Sequence, residues 1–153
     1  MHAAKPTLND LFADAFARYL TVRPTGIQLP HGSLCPSLAA AILACRPART
    51  LYQNKQPVCR SLDGIQSLQE ARACASCLLR KSCTPQIYLE LLADGVPYRL
   101  LLAYSSARNF MLFASELRAR QQPLENAQVI ISVRDRGRWG ELRFISPAAE
   151  SPQ

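Results

Sequence analysis

The sequence predicts an α+β chain, and three features carry that reading: two apolar hairpins in the second half, a helical stripe between them, and a cysteine cluster ahead of both. The hairpin strands are β-rich apolar runs bounded by turn residues, Asp94-Gly95 in one case and Asp135-Arg136-Gly137 in the other. The stripe between them repeats at helical spacing, which a strand cannot satisfy.

In chain order, residues 7 to 22 read as a helix. Leu8, Leu11, Phe12, Phe16, Tyr19 and Leu20 share one face, Thr7 or Asn9 caps it, and Pro24 and Gly26 end it. Residues 24 to 36 read as loop, broken by Pro24, Gly26, Pro30, Gly32 and Pro36. Residues 37 to 45 read as a short buried helix stopped by Pro47, and residues 49 to 53 as a strand. The cysteine cluster follows from 59 to 83. Residues 87 to 93 form a strand, the Asp94-Gly95 turn reverses the chain, and residues 97 to 104 return. Ser105 and Ser106 are positioned to cap a helix over 107 to 121, with Phe110, Phe113 and Leu117 facing the core. Residues 127 to 134 and 138 to 145 are the last two strands, and the tail from 147 to 153 reads as disordered.

From residue 49 onward this order is strand, cysteine insert, strand, strand, helix, strand, strand. Five strands with a helix between the third and fourth is the order of an OB-like barrel or sheet, which binds oligonucleotides on strands 2 and 3 and on the loops after strands 1 and 4. The expected organisation is an N-terminal helical segment (1–46), an OB-like domain (47–146) with a four-cysteine metal insert at 59–83, and the tail.

The cysteines of the insert are Cys59, Cys74, Cys77 and Cys83. The two-residue gap between Cys74 and Cys77 lets both thiolates converge on one ion, and four thiolates close a tetrahedral zinc site with Zn–S of about 2.3 Å. Such a site has no open position, so it staples a fold and does not catalyse. The segment 60 to 73 is poor in large apolar residues, and metal binding would supply the free energy that burial does not. Thiolate spacing does not separate zinc from a [4Fe–4S] cluster, which stays the alternative. Cys35 and Cys45 read as buried thiols, and His31 with Cys35 is too few ligands for a second site.

The formal charge is +7, and only three of the eighteen basic residues are Lys. Arginine pairs bidentately with phosphate and stacks on bases, which favours a nucleic-acid partner. Arg134, Arg136, Arg138 and Arg143 crowd the last hairpin with Trp139 beside its turn. Arg60, Arg72, Arg80 and Lys81 lie in the cysteine insert, and Tyr88, Tyr98, Arg99 and Tyr104 on the middle strands. In an OB arrangement both loops bordering the groove are then basic and aromatic rings lie between them, which is what sequence-tolerant single-strand binding needs. Packing within the protein competes for the rings: Trp139 suits cross-strand contact and Tyr98 or Tyr104 suits the core.

At Val58-Cys59-Arg60-Ser61-Leu62-Asp63-Gly64, Cys74-Ala75-Ser76-Cys77 and Cys83 the chain resembles cysteine-rich zinc proteins of phages and mobile elements. It is similar in plan to single-stranded-DNA-binding proteins with a zinc module inserted into an OB barrel. The resemblance covers about residues 58 to 121 and implies a DNA-processing role in replication, recombination or transfer. A non-enzymatic, zinc-stapled adaptor of a replication, conjugation or secretion complex is the alternative. No paired carboxylates, phosphate-cradling glycine loop or nucleophile motif points to an enzyme. No apolar run approaches the ~20 residues of a membrane span. The first ten residues lack a basic stretch followed by an apolar one, so the expected location is the cytoplasm.

Overall fold

The computed structural model describes residues 18–62, 68, 73, 74 and 80–147. Within them the chain is α+β, mostly open antiparallel sheet with one α-helix. A small sheet holds β1 (Thr21–Arg23), β2 (Gly26–Gln28) and β3 (Leu34–Cys35). The large sheet holds β4 (Ser37–Gln53), β5 (Gln56–Ser61), β6 (Thr84–Ala93), β7 (Val96–Ala103), β8 (Gln128–Asp135) and β9 (Gly140–Ile145), with α1 (Tyr104–Ala119) between β7 and β8. Its path is β7-β6-β4-β8-β9, with β5 also paired to β4.

β4 is the spine, and it corrects the sequence reading: residues 37–45 are strand, not helix. The run Ser-Leu-Ala-Ala-Ala-Ile-Leu-Ala-Cys has helical propensity, but Pro36 and Pro47 confine it to a length too short for a stable isolated helix. As a strand it pairs on both edges, with β6 over residues 41–50 and with β8 over 37–41. Ala40 and Ile42 are buried by that pairing. β8 and β5 share the edge opposite β6, β8 ending at Ala41 and β5 beginning at Arg49. Pro47 falls in the gap between them, where an absent N–H breaks no ladder on that edge. A bulge at Leu43 shifts the β4–β6 register and bends the strand, so β4 serves both halves of the sheet. β4 also runs unbroken across the expected junction at 46 and 47.

Two further expectations change. Residues 1–17 lie outside the described residues, as do residues 148–153 of the expected tail, but the end of the predicted 7–22 helix is extended: Tyr19 bridges Arg99 in parallel and β1 begins at Thr21. The expected loop 24–36 contains β2 and β3. The strands at 87–93, 97–104, 127–134 and 138–145 are present within a few residues of their expected ends. Asp94 (φ 50°) and Gly95 (φ 75°) make the two-residue turn that suits right-handed strand twist. Asn54 and Lys55 adopt the same conformation between β4 and β5.

The core lies between the inner face of the sheet and α1. Leu89, Leu91, Leu100, Leu102, Val129, Ile131 and Leu142 face Phe110, Phe113 and Leu117, and Leu20 and Ile27 join them. α1 begins at Tyr104, earlier than expected, and no side chain caps it. Ser106 acts elsewhere. The Ser106 hydroxyl accepts from the Leu142 amide at 2.9 Å, and Asn109 Nδ2 donates to the Leu142 carbonyl at 2.9 Å. These bonds satisfy the outer edge of β9. The outer edge of β7 is satisfied by residues 18–20: the Arg99 amide donates to the Arg18 carbonyl at 3.0 Å, and the Leu20 amide donates to the Arg99 carbonyl at 2.9 Å. Among the described residues no ladder joins β7 to β9, so the sheet stays open with its two terminal edges covered.

Candidate nucleic-acid interface and cysteine cluster

The outer face of β4, β6 and β7 follows from register. Arg46, Ala48 and Thr50 stand opposite Tyr88, Gln86 and Thr84, while Leu101, Ala103 and Arg99 stand opposite Tyr88, Gln86 and Glu90. Arg60 continues this face from β5, opposite Thr50. A polar network occupies its centre. The Thr50 hydroxyl donates to Gln86 Oε1 at 2.5 Å, Arg60 Nε donates to Thr50 Oγ1 at 3.2 Å, and Gln86 Nε2 donates to the Tyr52 hydroxyl at 3.4 Å.

Tyr88 does not offer a stacking surface. It is only 2% exposed, and its hydroxyl donates to Glu90 Oε1 at 2.8 Å. Burial, then that hydrogen bond, pushes its pKa well above the usual phenol value. Tyr98 packs against the core from the inner face. The two-residue turn pairs Tyr98 with Leu91 and Tyr88 with Leu101, so the two rings lie on opposite faces of the hairpin and do not meet one ligand. Tyr19 lies over the same outer face. Burial raises its pKa, while Arg60 and Arg99 oppose that rise and Glu90 adds to it.

Tyr52, in the polar network, is 42% exposed, and two further exposed rings lie elsewhere. Tyr104 is 78% exposed and Trp139 47% exposed. Together with Leu101, Ala103 and Val22 they line an apolar groove of about 500 Å³ in the gap between β7 and β9. Alternation from Leu100 and Leu102 would send Tyr104 into the core. Its φ of 53° breaks the strand at that residue and turns the ring outward. Arg138 is exposed beside Trp139 in the β8–β9 turn, which an Asp135 carboxylate oxygen accepting from the Gly137 amide at 2.7 Å holds closed.

Arg134, Arg136 and Arg143 are not with Trp139. They line a second groove, of about 510 Å³, between α1 and the opposite face of the β8–β9 hairpin, together with Arg108. There Arg136 Nη2 pairs with Glu141 at 3.3 Å. The polar groups around it, Ser105 first and then Arg136 and Asn109, hold the Glu141 carboxyl below its usual value. Arg136 is the group in hydrogen-bond geometry with that carboxylate, whereas the Ser105 hydroxyl has no hydrogen-bond partner among the described residues and Asn109 donates to the Leu142 carbonyl.

Cys59 stands opposite Leu51 on β5, and Cys83 directly precedes Thr84, which pairs with Thr50. Register thus brings the backbones of these two cysteines to one level on either side of β4, two strand spacings or about 10 Å apart. Cys74 is half-buried, and Cys77 and Arg72 lie outside the described residues. Arg80 and Lys81 share a 3-10 turn; Lys81 is exposed, and the side chain of Arg80 is outside the description. Among the described residues no three His, Cys, Asp or Glu side chains gather around one point. Cys35, Cys45, Cys59, Cys74 and Cys83 are thiols outside any disulfide; Cys35 is half-buried, in part as expected, whereas Cys45 is exposed on β4. No helix among the described residues is long and apolar enough to cross a membrane. No protein-family profile, curated protein or solved structure matches this chain.

Proposed function

We propose that this chain is a zinc-stabilised module that binds single-stranded nucleic acid, DNA above all, in the DNA processing of a phage or mobile element. The observation that carries the reading is the exposed pair Tyr104 and Trp139 flanking one apolar groove at the margin of the face that bears Arg60 and Arg99. Rings with free faces stack on bases whatever their sequence, and arginines beside them neutralise phosphates. The strand order supports an OB-like arrangement. β8-β4-β6-β7 is a Greek key with the helix on its long connection, and β9 follows β8 in the fifth position. In that arrangement Cys59, Cys74, Cys77 and Cys83 hold a zinc ion that organises the long connection from β5 to β6, with a [4Fe–4S] cluster as the alternative occupant.

The test is a titration of labelled oligothymidine of about 15 nucleotides, against a duplex of equal length, at roughly 50 and 200 mM salt. The single strand binds more tightly, its affinity falls with salt, and Trp139→Ala weakens it about tenfold, the loss of one stacked base. Equal affinity for duplex, or no effect of Trp139→Ala together with Tyr104→Ala, refutes the reading.

A further inference from the structure

We propose that the groove between α1 and the β8–β9 hairpin is a docking site for a short peptide in which acidic and apolar side chains alternate. Charge is the first ground. Arg108, Arg134 and Arg143 project into it from α1, β8 and β9, all three are exposed, and none has an acidic partner among the described residues. The carboxylates lining it are Glu116 and Glu141, and Arg136 neutralises Glu141. The groove therefore has an excess of positive charge on three sides, which draws and orients an anionic ligand.

The floor is the second ground, and it selects among anions. Leu112 lines the groove at 58% exposure, a large apolar side chain where solvent calls for a polar one. Phe144 and Ile145 complete the floor and are half-buried. No ring is free for base stacking: Phe144 packs edge-on to Phe110 at 5.3 Å, and Phe113 is 3% exposed. A nucleic acid would use only the rim. A peptide carrying both carboxylates and aliphatic or aromatic side chains uses rim and floor together. This inference goes beyond nucleic-acid binding and stands on different residues from the Tyr104–Trp139 groove.

The test is fluorescence anisotropy with a fluorescein-labelled peptide of about ten residues alternating Asp with Leu and Phe, run beside an all-Asp peptide and the oligothymidine. The alternating peptide binds, Arg108→Glu with Arg143→Glu weakens it about tenfold, and Leu112→Ser weakens it severalfold while leaving oligothymidine affinity unchanged. If the double charge reversal impairs folding, Arg143→Gln and Leu112→Ser alone carry the test. Absence of binding, equal binding of the all-Asp peptide, or displacement of the peptide by oligothymidine overturns the proposal, the last outcome assigning the groove to nucleic acid.

Discussion

Glu141 shows how a single carboxyl links the last hairpin to the helix. It stands opposite Arg134 across the ladder, pairs with Arg136, and lies beside the Ser105 and Asn109 side chains of α1, which help to lower its pKa. Because the folded state lowers its pKa, its contribution is complete above the unfolded carboxyl value of about 4.3 and disappears as pH falls through the lower, folded value. Glu141→Gln is therefore less stable than the parent in urea at neutral pH, and the difference narrows at about pH 3. An undiminished difference there would show that the carboxylate charge is not what matters. The aromatic residues show how much at this level the sequence hides. Tyr88 and Trp139 have similar chemistry, yet one is a buried hydrogen-bond donor and the other a half-exposed plate. What separates them is burial set by the tertiary structure, which local sequence does not encode.

β4 is the element on which the fold turns, and local propensity pointed the wrong way over its first half. Alanine and leucine favour helix by fractions of a kcal/mol each, and pairing on two edges outweighs that. The hairpins were legible because their turns are local: Asp94-Gly95 adopts the positive φ values that its residue types tolerate. The Asn54-Lys55 turn makes the same shape, but lysine in place of glycine removes the usual signal. Gly140 is a position where the elements require a glycine. A Cβ there would meet the Arg23 carbonyl of β1 and lie 2.8 Å from Val133 Cγ1. Gly140→Ala is expected to lower unfolding stability by about 1–3 kcal/mol and to increase hydrogen exchange in β1. A variant of parental stability would show that β1 does not seat on β9.

Across the whole molecule, the open sheet survives because its two terminal edges are capped by different means, backbone at β7 and side chains at β9. The segment 60–73 within the connection between β5 and β6 is poor in large apolar residues, which is the ground in the sequence for expecting a metal there. Freshly purified protein is expected to hold about one zinc per chain, and Cys77→Ser or a strong chelator to lower its melting temperature. Elemental analysis decides this. Iron with sulfide, and absorption at about 400 nm, would select the cluster instead.

Turn chemistry and hydrophobic period are properties of neighbours in the chain, so the second-half strands and the helix are legible in the sequence, whereas the four-cysteine ligand set remains an expectation from spacing. Which face a strand covers, which edge receives a distant segment, and which arginines end up together are set by contacts between residues far apart. That is why Arg134 and Trp139, close neighbours in the chain, occupy different grooves, and why Tyr104 points to solvent although its parity in the strand points inward.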